Sequence, residues 1–459
     1  MKRTLLGHIF LFIAGLVFIA CSKTKFLDTP PNRSLVVPQS LADLQGILDQ
    51  DGVMNAAGYN NGGPVPFAGE ASSDDYFLTD ASYNSMLSVP FQHYYTWSDG
   101  LETDGAVTNW NSAFQTVLYA NTALDEVKKM SRTSDNAVTY DRVMGGAIFF
   151  RAHAYYQLAQ VYALPYGPST LNSAGLPLRR SSDITENLYW ATLTETYQFI
   201  LTDLLQALPL LPKSPSLKTR PSQQAAYALL ARTYLVMGNY ERALSFADSC
   251  LSLPHQLSDF NQLDPSASFP FEFGSHHHPE VIFSCNMSGY NSNYPMSPFF
   301  ALADSNLYRS FANSDLRKTL FFMPATDGQQ FKGSYEGSGV FFAGIAIDEI
   351  YLIKAECLAR LGEAEPALHT VNSLLVMRYQ AGSYINYMGL SAEQTLSLIL
   401  SERRKELLFR GLRWTDLRRY LSEDKGLTLL RNINGKLYSL KPSDARYTLP
   451  IPDAVKAFH

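Results

Sequence analysis

A chain of 459 residues with 46% hydrophobic side chains can bury a large core, and its length admits roughly three domains at most. The formal charge is −5 and no block of Lys or Arg stands out, which argues against a nucleic-acid partner. There are four Cys, one at the end of an N-terminal leader; the odd number left for the body argues against a disulfide framework.

The leader opens with Lys2 and Arg3, and Leu5 to Ala20 is an apolar run broken by His8. The run is short for a membrane span, which needs about 20 residues. It ends in Phe18-Ile19-Ala20-Cys21, the layout of a secretory signal with a Cys directly after the small residue. We read residues 1–20 as a lipoprotein signal peptide, Cys21 as the lipidation site and residues 21–459 as one domain. An ordinary signal with an incidental Cys is the plainer alternative, but Cys21 lies at the boundary itself. Taking Lys2 and Arg3 from −5 leaves −7 for the mature chain. No second apolar stretch suggests a span. Cys250, Cys285 and Cys357 are expected to be free, buried thiols.

Residues 22–100 are rich in Gly, Asn, Pro, Ser and Tyr and read as irregular, apart from a helix predicted over Ser40–Asp49. Trp110, Phe114, Val117, Leu118, Asn121 and Leu124 fall at three- and four-residue steps, one helix face. A second helix, Tyr140 to Tyr162, is dense in Ala and aromatics and is stopped by Pro165, Gly167 and Pro168. A loop runs to about Trp190, which is expected to staple the start of a helix over Thr192–Leu208. A Pro-rich link, Pro209 to Pro221, follows.

Next comes an internal repeat. Gln223–Leu251 aligns with Ile347–Leu375 at a constant step of 124 positions: Tyr227 with Tyr351, Ala231 with Ala355, Gly238 with Gly362, Ala243 with Ala367. Each copy reads as helix, Gly-closed turn and second helix, the tetratricopeptide pattern. The predicted fold is mainly α: a tetratricopeptide-like helical-repeat scaffold, with repeats at about 105–250 and 347–420. The irregular insert at about 252–346 is rich in Phe, Tyr, Ser, Asn and Pro. An insert this long in a helical scaffold points to function.

The most specific string is Ser401-Glu402-Arg403-Arg404-Lys405-Glu406-Leu407-Leu408-Phe409-Arg410-Gly411-Leu412-Arg413-Trp414-Thr415-Asp416-Leu417-Arg418-Arg419. It closely resembles the signature of SusD/RagB-family nutrient-binding lipoproteins of Bacteroidota, with Arg410 where that family usually has Glu. Phe26-Leu27-Asp28, Trp110 to Asn121, Phe150-Arg151-Ala152 with Tyr155, Ala225 to Tyr234, and Tyr447-Thr448-Leu449-Pro450-Ile451-Pro452 resemble other parts of the family in the expected order. The resemblance implies a SusD-like fold and a lipoprotein anchored in the outer membrane, facing the cell exterior. It implies a role in binding an oligosaccharide or peptide and delivering it to a SusC-type TonB-dependent transporter, without a cofactor and without catalysis. Two other readings compete: a tetratricopeptide scaffold lipoprotein for outer-membrane assembly, and a glycan-cleaving surface enzyme.

The charges of the signature are expected to be structural, with Arg413 and Asp416 pairing across the turn at Gly411. Hydrolase strings such as Gly-x-Ser-x-Gly or His-Glu-x-x-His are absent, so no catalytic residue is predicted. His276-His277-His278 beside Glu280 lacks metal-ligand spacing and reads as a solvated loop. Glu70, Asp74 and Asp75 lack EF-hand spacing and read as ordinary loop acids, so no metal is predicted.

Sugar recognition needs flat aromatic faces plus fixed polar groups. Trp110 belongs to a helix face and Trp414 to the signature, which leaves Trp97 as the leading stacking platform. It lies with Tyr94 in His93-Tyr94-Tyr95-Thr96-Trp97, read as outside the regular helices. A Trp that merely packs this loop on the scaffold is an equal alternative. Tyr290-Asn291-Ser292-Asn293-Tyr294 offers a second surface, in which Tyr290, Asn291, Asn293 and Tyr294 combine aromatics with amides; a plain turn is the alternative. Tyr76, beside Asp74 and Asp75, is a further ligand-binding candidate.

Overall fold

The structure is a computed structural model that describes residues 38–57, 62–86, 88–101, 104–288, 294–298, 300–423 and 425–456. The leader with Cys21, and the candidates Tyr290, Asn291 and Asn293, lie outside the described residues.

Helix α1, Leu41–Leu48, starts at Ser40, whose hydroxyl accepts the Asp43 N–H while the Asp43 carboxylate accepts the Ser40 N–H. That reciprocal cap satisfies two donors that a helix start leaves open. Helices α2, Asp104–Val127, and α3, Ala137–Tyr162, pack on each other, and α4, Leu193–Ala207, packs on α3. Strands β2, Ala174–Leu178, and β3, Tyr189–Thr192, pair in the connection. Trp190 sits in β3 rather than stapling α4. The start of α4 is secured by Thr192 and Glu195, which cap each other's backbone. The C-terminal end of α3 is closed from afar, where Arg418 donates to the carbonyls of Ala159, Gln160 and Ala163. A guanidinium there meets the open carbonyls and the negative end of the helix dipole.

The repeat is real to the residue. Helices α5, Gln223–Val236, and α6, Tyr240–Leu251, recur as α7, Ile347–Arg360, and α8, Ala364–Leu375. Gln223 to Ile347 and Leu251 to Leu375 are both steps of 124 positions. Gly238 and Gly362 close the first helix of each copy at φ +71° and +88°, a backbone state that costs glycine nothing. The buried Ala225, Ala228 and Ala231 in one copy and Ala355 and Ala359 in the other keep the helices close. Although the insert separates the copies in sequence, α6 packs directly on α7. The buried Arg232–Glu349 pair, 2.5 Å, joins the two repeats. The insert is therefore looped out of a continuous stack.

The insert is held by small antiparallel pairings. Strand β4, Val281–Phe283, pairs with β8, Ile345–Ala346, at its return to the stack. Strand β1, Tyr76–Phe77, ties the N-terminal part to β5, Leu302–Ala303, and β6, Phe322–Ala325, forms a hairpin with β7, Gly328–Phe331. Near the end of the chain β9, Leu429–Ile433, pairs with β10, Lys436–Leu440. A main core runs from α1 to the C-terminal turn, and a second one lies between α7, α8 and α9, Ala392–Glu406. In the second core Ile399 and Leu407 pack with Leu352, Val371 and Leu374. Cys250, Cys285 and Cys357 are free and buried, as expected.

The signature folds as α9, a turn at Gly411 and α10, Arg413–Leu421. Its charges are structural, but their partners differ from the expected pairing. Asp416 binds Arg403 and Arg419, whereas Arg413 reaches back to Asp74 at 2.7 Å. The turn at Gly411 points Arg413 toward the N-terminal loops rather than along its own helix. Glu402 and Glu406 hold Arg317 of the insert, Glu406 also holds Arg378, and Arg419 holds Glu356 of α7. Arg410 meets Asp348 of α7 at 2.5 Å, so a cation at that position has a carboxylate partner.

Candidate functional site

The segment before α2 and the insert meet at the β1–β5 pairing and line one groove. The segment holding Trp97 is not irregular there: Val89–Thr96 is a helix with Pro90 in its first turn, a position proline tolerates. Trp97 ends that helix in the left-handed region, φ 52°. Its ring is 1% exposed, and its indole N–H donates to the Ser72 carbonyl at 3.0 Å. The open stacking face expected of Trp97 is therefore covered, because the ring is needed to pack the end of the helix. Tyr94, Tyr76 and Tyr294 are also buried. Tyr94 and Tyr294 both pack on Phe67, at 5.5 and 5.9 Å between centroids, so the two predicted surfaces converge on one ring. Tyr76 packs on Tyr95 at 5.5 Å.

What covers the aromatic rings is a cation. The Arg431 guanidinium of β9 lies 3.8 Å from the Tyr95 centroid, 4.5 Å from Trp97 and 5.1 Å from Tyr76. It donates to the carbonyls of Tyr95 and Ser73. Such a desolvated cation over aromatic faces is stabilised by the ring quadrupoles. Composition gave no hint of it, since a lone Arg in a C-terminal strand has no local pattern.

Above this floor opens a groove of about 490 Å³. Tyr76, Trp97 and Arg431 line its base. Asp74, Asp304, Arg404, Thr428 and Asn432 supply polar groups, and Leu427 and Leu430 form an apolar rim. The volume lies in the range of small-molecule sites. Four charged groups on the wall, Asp74, Asp304, Arg404 and Arg431, cancel. Arg404 donates through Nε to Asp75 at 2.9 Å and through Nη2 to the Asp74 carbonyl at 2.8 Å. Burial works against ionisation of Asp74, but Arg413 and Arg404 outweigh it and hold its carboxyl below the usual range. Burial lifts Asp75 to about 6 against the same two arginines. Glu70 lies deeper and accepts the Gly411 N–H at 3.0 Å; burial first, and then Asp75, push its carboxyl well above the usual range. These three acids thus clamp the N-terminal loops to the signature, Glu70 and Asp75 from buried positions and Asp74 from the half-buried groove wall, and are not the loop acids expected.

His276 and His277 are exposed as expected of a solvated loop, but His278 is buried and stacks on Tyr335 at 3.9 Å. Burial, and after it Arg378, keep His278 neutral. Glu280 binds Arg378 at 2.8 Å. The carboxylates of Glu280, Asp348 and Glu406 come within 4.8 Å of one another. Arg378, Arg410, Arg317 and the Tyr335 hydroxyl already occupy them. That donor set serves the chain's own cations.

Fold and groove together define a tetratricopeptide-like scaffold protein whose insert and N-terminal loops wall a ligand-sized, polar recess. Residues 25–235 match the SusD-like family described as starch-binding associating with outer membrane, and residues 347–457 match the SusD family. The chain belongs to the SusD/RagB family. A curated relative, SusD-like protein P2 of Formosa agariphila, is 30% identical over 135 residues, covering 29% of this chain and 25% of that protein's length. Among solved structures, a SusD superfamily protein of Bacteroides thetaiotaomicron VPI-5482 is similar with a TM-score of 0.73 at 21% identity, covering 91% of this chain and 98% of the other. A SusD superfamily protein of Bacteroides fragilis gives 0.74 at 21%, covering 92% and 99%. A SusD-like carbohydrate binding protein of Bacteroides vulgatus ATCC 8482 gives 0.71 at 20%, covering 92% and 97%. At such identities the likeness establishes the fold.

Proposed function

We propose that this chain is a non-catalytic, lipid-anchored surface protein. It binds an oligosaccharide in the groove over Trp97 and Arg431 and hands it to a SusC-type TonB-dependent transporter of the outer membrane. The groove carries the reading. Its wall alternates hydrogen-bond donors and acceptors, Arg404, Asp304, Thr428 and Asn432, with apolar edges at Leu427 and Leu430, and its charges cancel. A neutral, polar recess suits a ligand covered in hydroxyls better than a charged peptide. The sugar-binding description of the Bacteroides vulgatus relative and the starch-binding description of the matching family support the same class. No helix of the described residues is long and apolar enough to cross a membrane.

Calorimetric titration of residues 22–459 with a panel of oligosaccharides, polysaccharides and peptides tests this. The expected result is saturable heat with a glycan, weakened by Asn432→Ala, and no cleavage product. Binding confined to peptides, or product released from a glycan by the pure protein, overturns the reading. Pull-down of the lipidated protein from outer membranes tests the transporter arm, with a TonB-dependent barrel as the expected partner.

A further inference from the structure

We infer that the groove is one half of a longer cleft, and that Arg404 sits at its waist as a specificity-determining residue contacting an oligosaccharide of at least two sugar units. This rests on the glycan-binding reading above. A second recess, of about 320 Å³, is lined by Leu307, Ser310, Leu400, Ser401, Arg413 and Tyr420. It shares Asn306 and Arg404 with the first, so the two lobes meet at those side chains.

Arg404 differs from the other cations of the signature. Arg403, Lys405, Arg410, Arg413 and Arg419 have side chains at most 9% exposed, whereas that of Arg404 is 22% exposed. Its Nε and Nη2 are committed to Asp75 and Asp74, with Asp304 at 3.7 Å. Nη1 has no hydrogen-bond partner among the described residues. A guanidinium held on two of its nitrogens presents the third in a fixed direction, with little entropy to lose when a ligand arrives. The acids around it cancel its charge, which suits donation to a sugar hydroxyl or ring oxygen without demand for an anion. The second lobe offers matching chemistry: the Ser401 and Ser310 hydroxyls, the Asn306 amide and the Tyr420 hydroxyl beside the apolar Leu307 and Leu400. A single sugar is held within one lobe; a chain that crosses Arg404 uses both.

The test is an array of neutral and acidic oligosaccharides from one to eight units, probed with the parent and three variants. Ser401→Trp, at an exposed position of α9, fills the second lobe. Asn432→Trp, exposed on β9, fills the first. Arg404→Lys keeps the charge but withdraws the fork. Circular dichroism and melting profiles confirm that each variant is folded. We expect hits only at two units or longer, and a loss of about tenfold or more on each of the three substitutions. Binding that disappears in Asn432→Trp but survives Ser401→Trp and Arg404→Lys overturns the two-lobed cleft and leaves the glycan groove standing. A monosaccharide bound as tightly as its oligomers also overturns it. A silent array sinks both readings.

Discussion

Arg317 and Glu402, 85 residues apart in the chain, meet at 2.6 Å with side-chain exposures of 0% and 2%. The same guanidinium also reaches Asp315 at 2.7 Å and Glu406 at 2.9 Å, so one insert residue is locked to two signature glutamates. Removing Arg317 leaves the buried Asp315 without its cation and takes one of two from Glu402 and Glu406, which keep Lys405 and Arg378. We expect Arg317→Met to destabilise the fold by about 3–5 kcal/mol, because three carboxylates would then face one another. Urea unfolding of the variant measures it, and a loss below about 1 kcal/mol would show that the cluster relaxes into solvent.

Trp97 provides a second test, because its burial changes what its removal means. Truncating a ring that is 1% exposed leaves a cavity at the end of the Val89–Thr96 helix and strips one face from Arg431. We expect Trp97→Ala to destabilise by about 3–5 kcal/mol. A variant of parental stability that has lost only glycan affinity would instead restore Trp97 as an open stacking platform.

Glu70 carries a pH prediction. Its folded carboxyl titrates well above the ordinary 4.5, for reasons of burial first and Asp75 second. A raised carboxyl binds its proton more tightly in the fold than in the unfolded chain. The resulting destabilisation is absent below the unfolded value and grows as pH rises above it toward the folded value. Glu70→Gln keeps the shape and an acceptor for the Gly411 N–H while removing the titration. It should be more stable than the parent at about pH 8 and little different at about pH 4. Denaturant midpoints at both values check this; equal differences at both would refute the raised carboxyl.

Gly344 tests the join between insert and scaffold. A Cβ built there would lie 2.1 Å from the Phe283 carbonyl oxygen, at the edge of the β4–β8 pairing. The Gly344 carbonyl also accepts from Arg232, the arginine that joins the two repeats. Gly344→Ala is expected to cost about 1–3 kcal/mol by forcing these backbones apart. An unchanged melting temperature would mean that the pairing is looser than its geometry indicates.

Much of the scaffold was legible in the chain. The step of 124 positions between Tyr227 and Tyr351 foretold two helix pairs whose ends match residue for residue, and Ser40 and Thr192 marked helix starts that the structure caps through their hydroxyls. The Val89–Thr96 helix was missed because its Tyr, Thr and Trp residues carry no clear helical period and its Pro reads first as a breaker. Arg431 and Arg404 were missed as site residues for a different reason. Each lies in a stretch whose pattern speaks of strand or helix, and nothing nearby marks what it faces.

Helix periodicity, turn glycines and caps are interactions between residues three or four positions apart, so the sequence by itself determined the helical repeats and the looped-out insert, while the string from Ser401 to Arg419 carried the resemblance to the family. The choice of partners was decided only by the tertiary structure. Arg404 meets Asp75 across 329 positions and Arg413 meets Asp74 across 339, and no local pattern encodes which carboxylate waits at the other end. The same packing buried Trp97, seated Arg431 over the aromatic rings and opened the groove beside them. Burial is a property of the whole assembly of layers, and a side chain's exposure is settled only when every layer has taken its place.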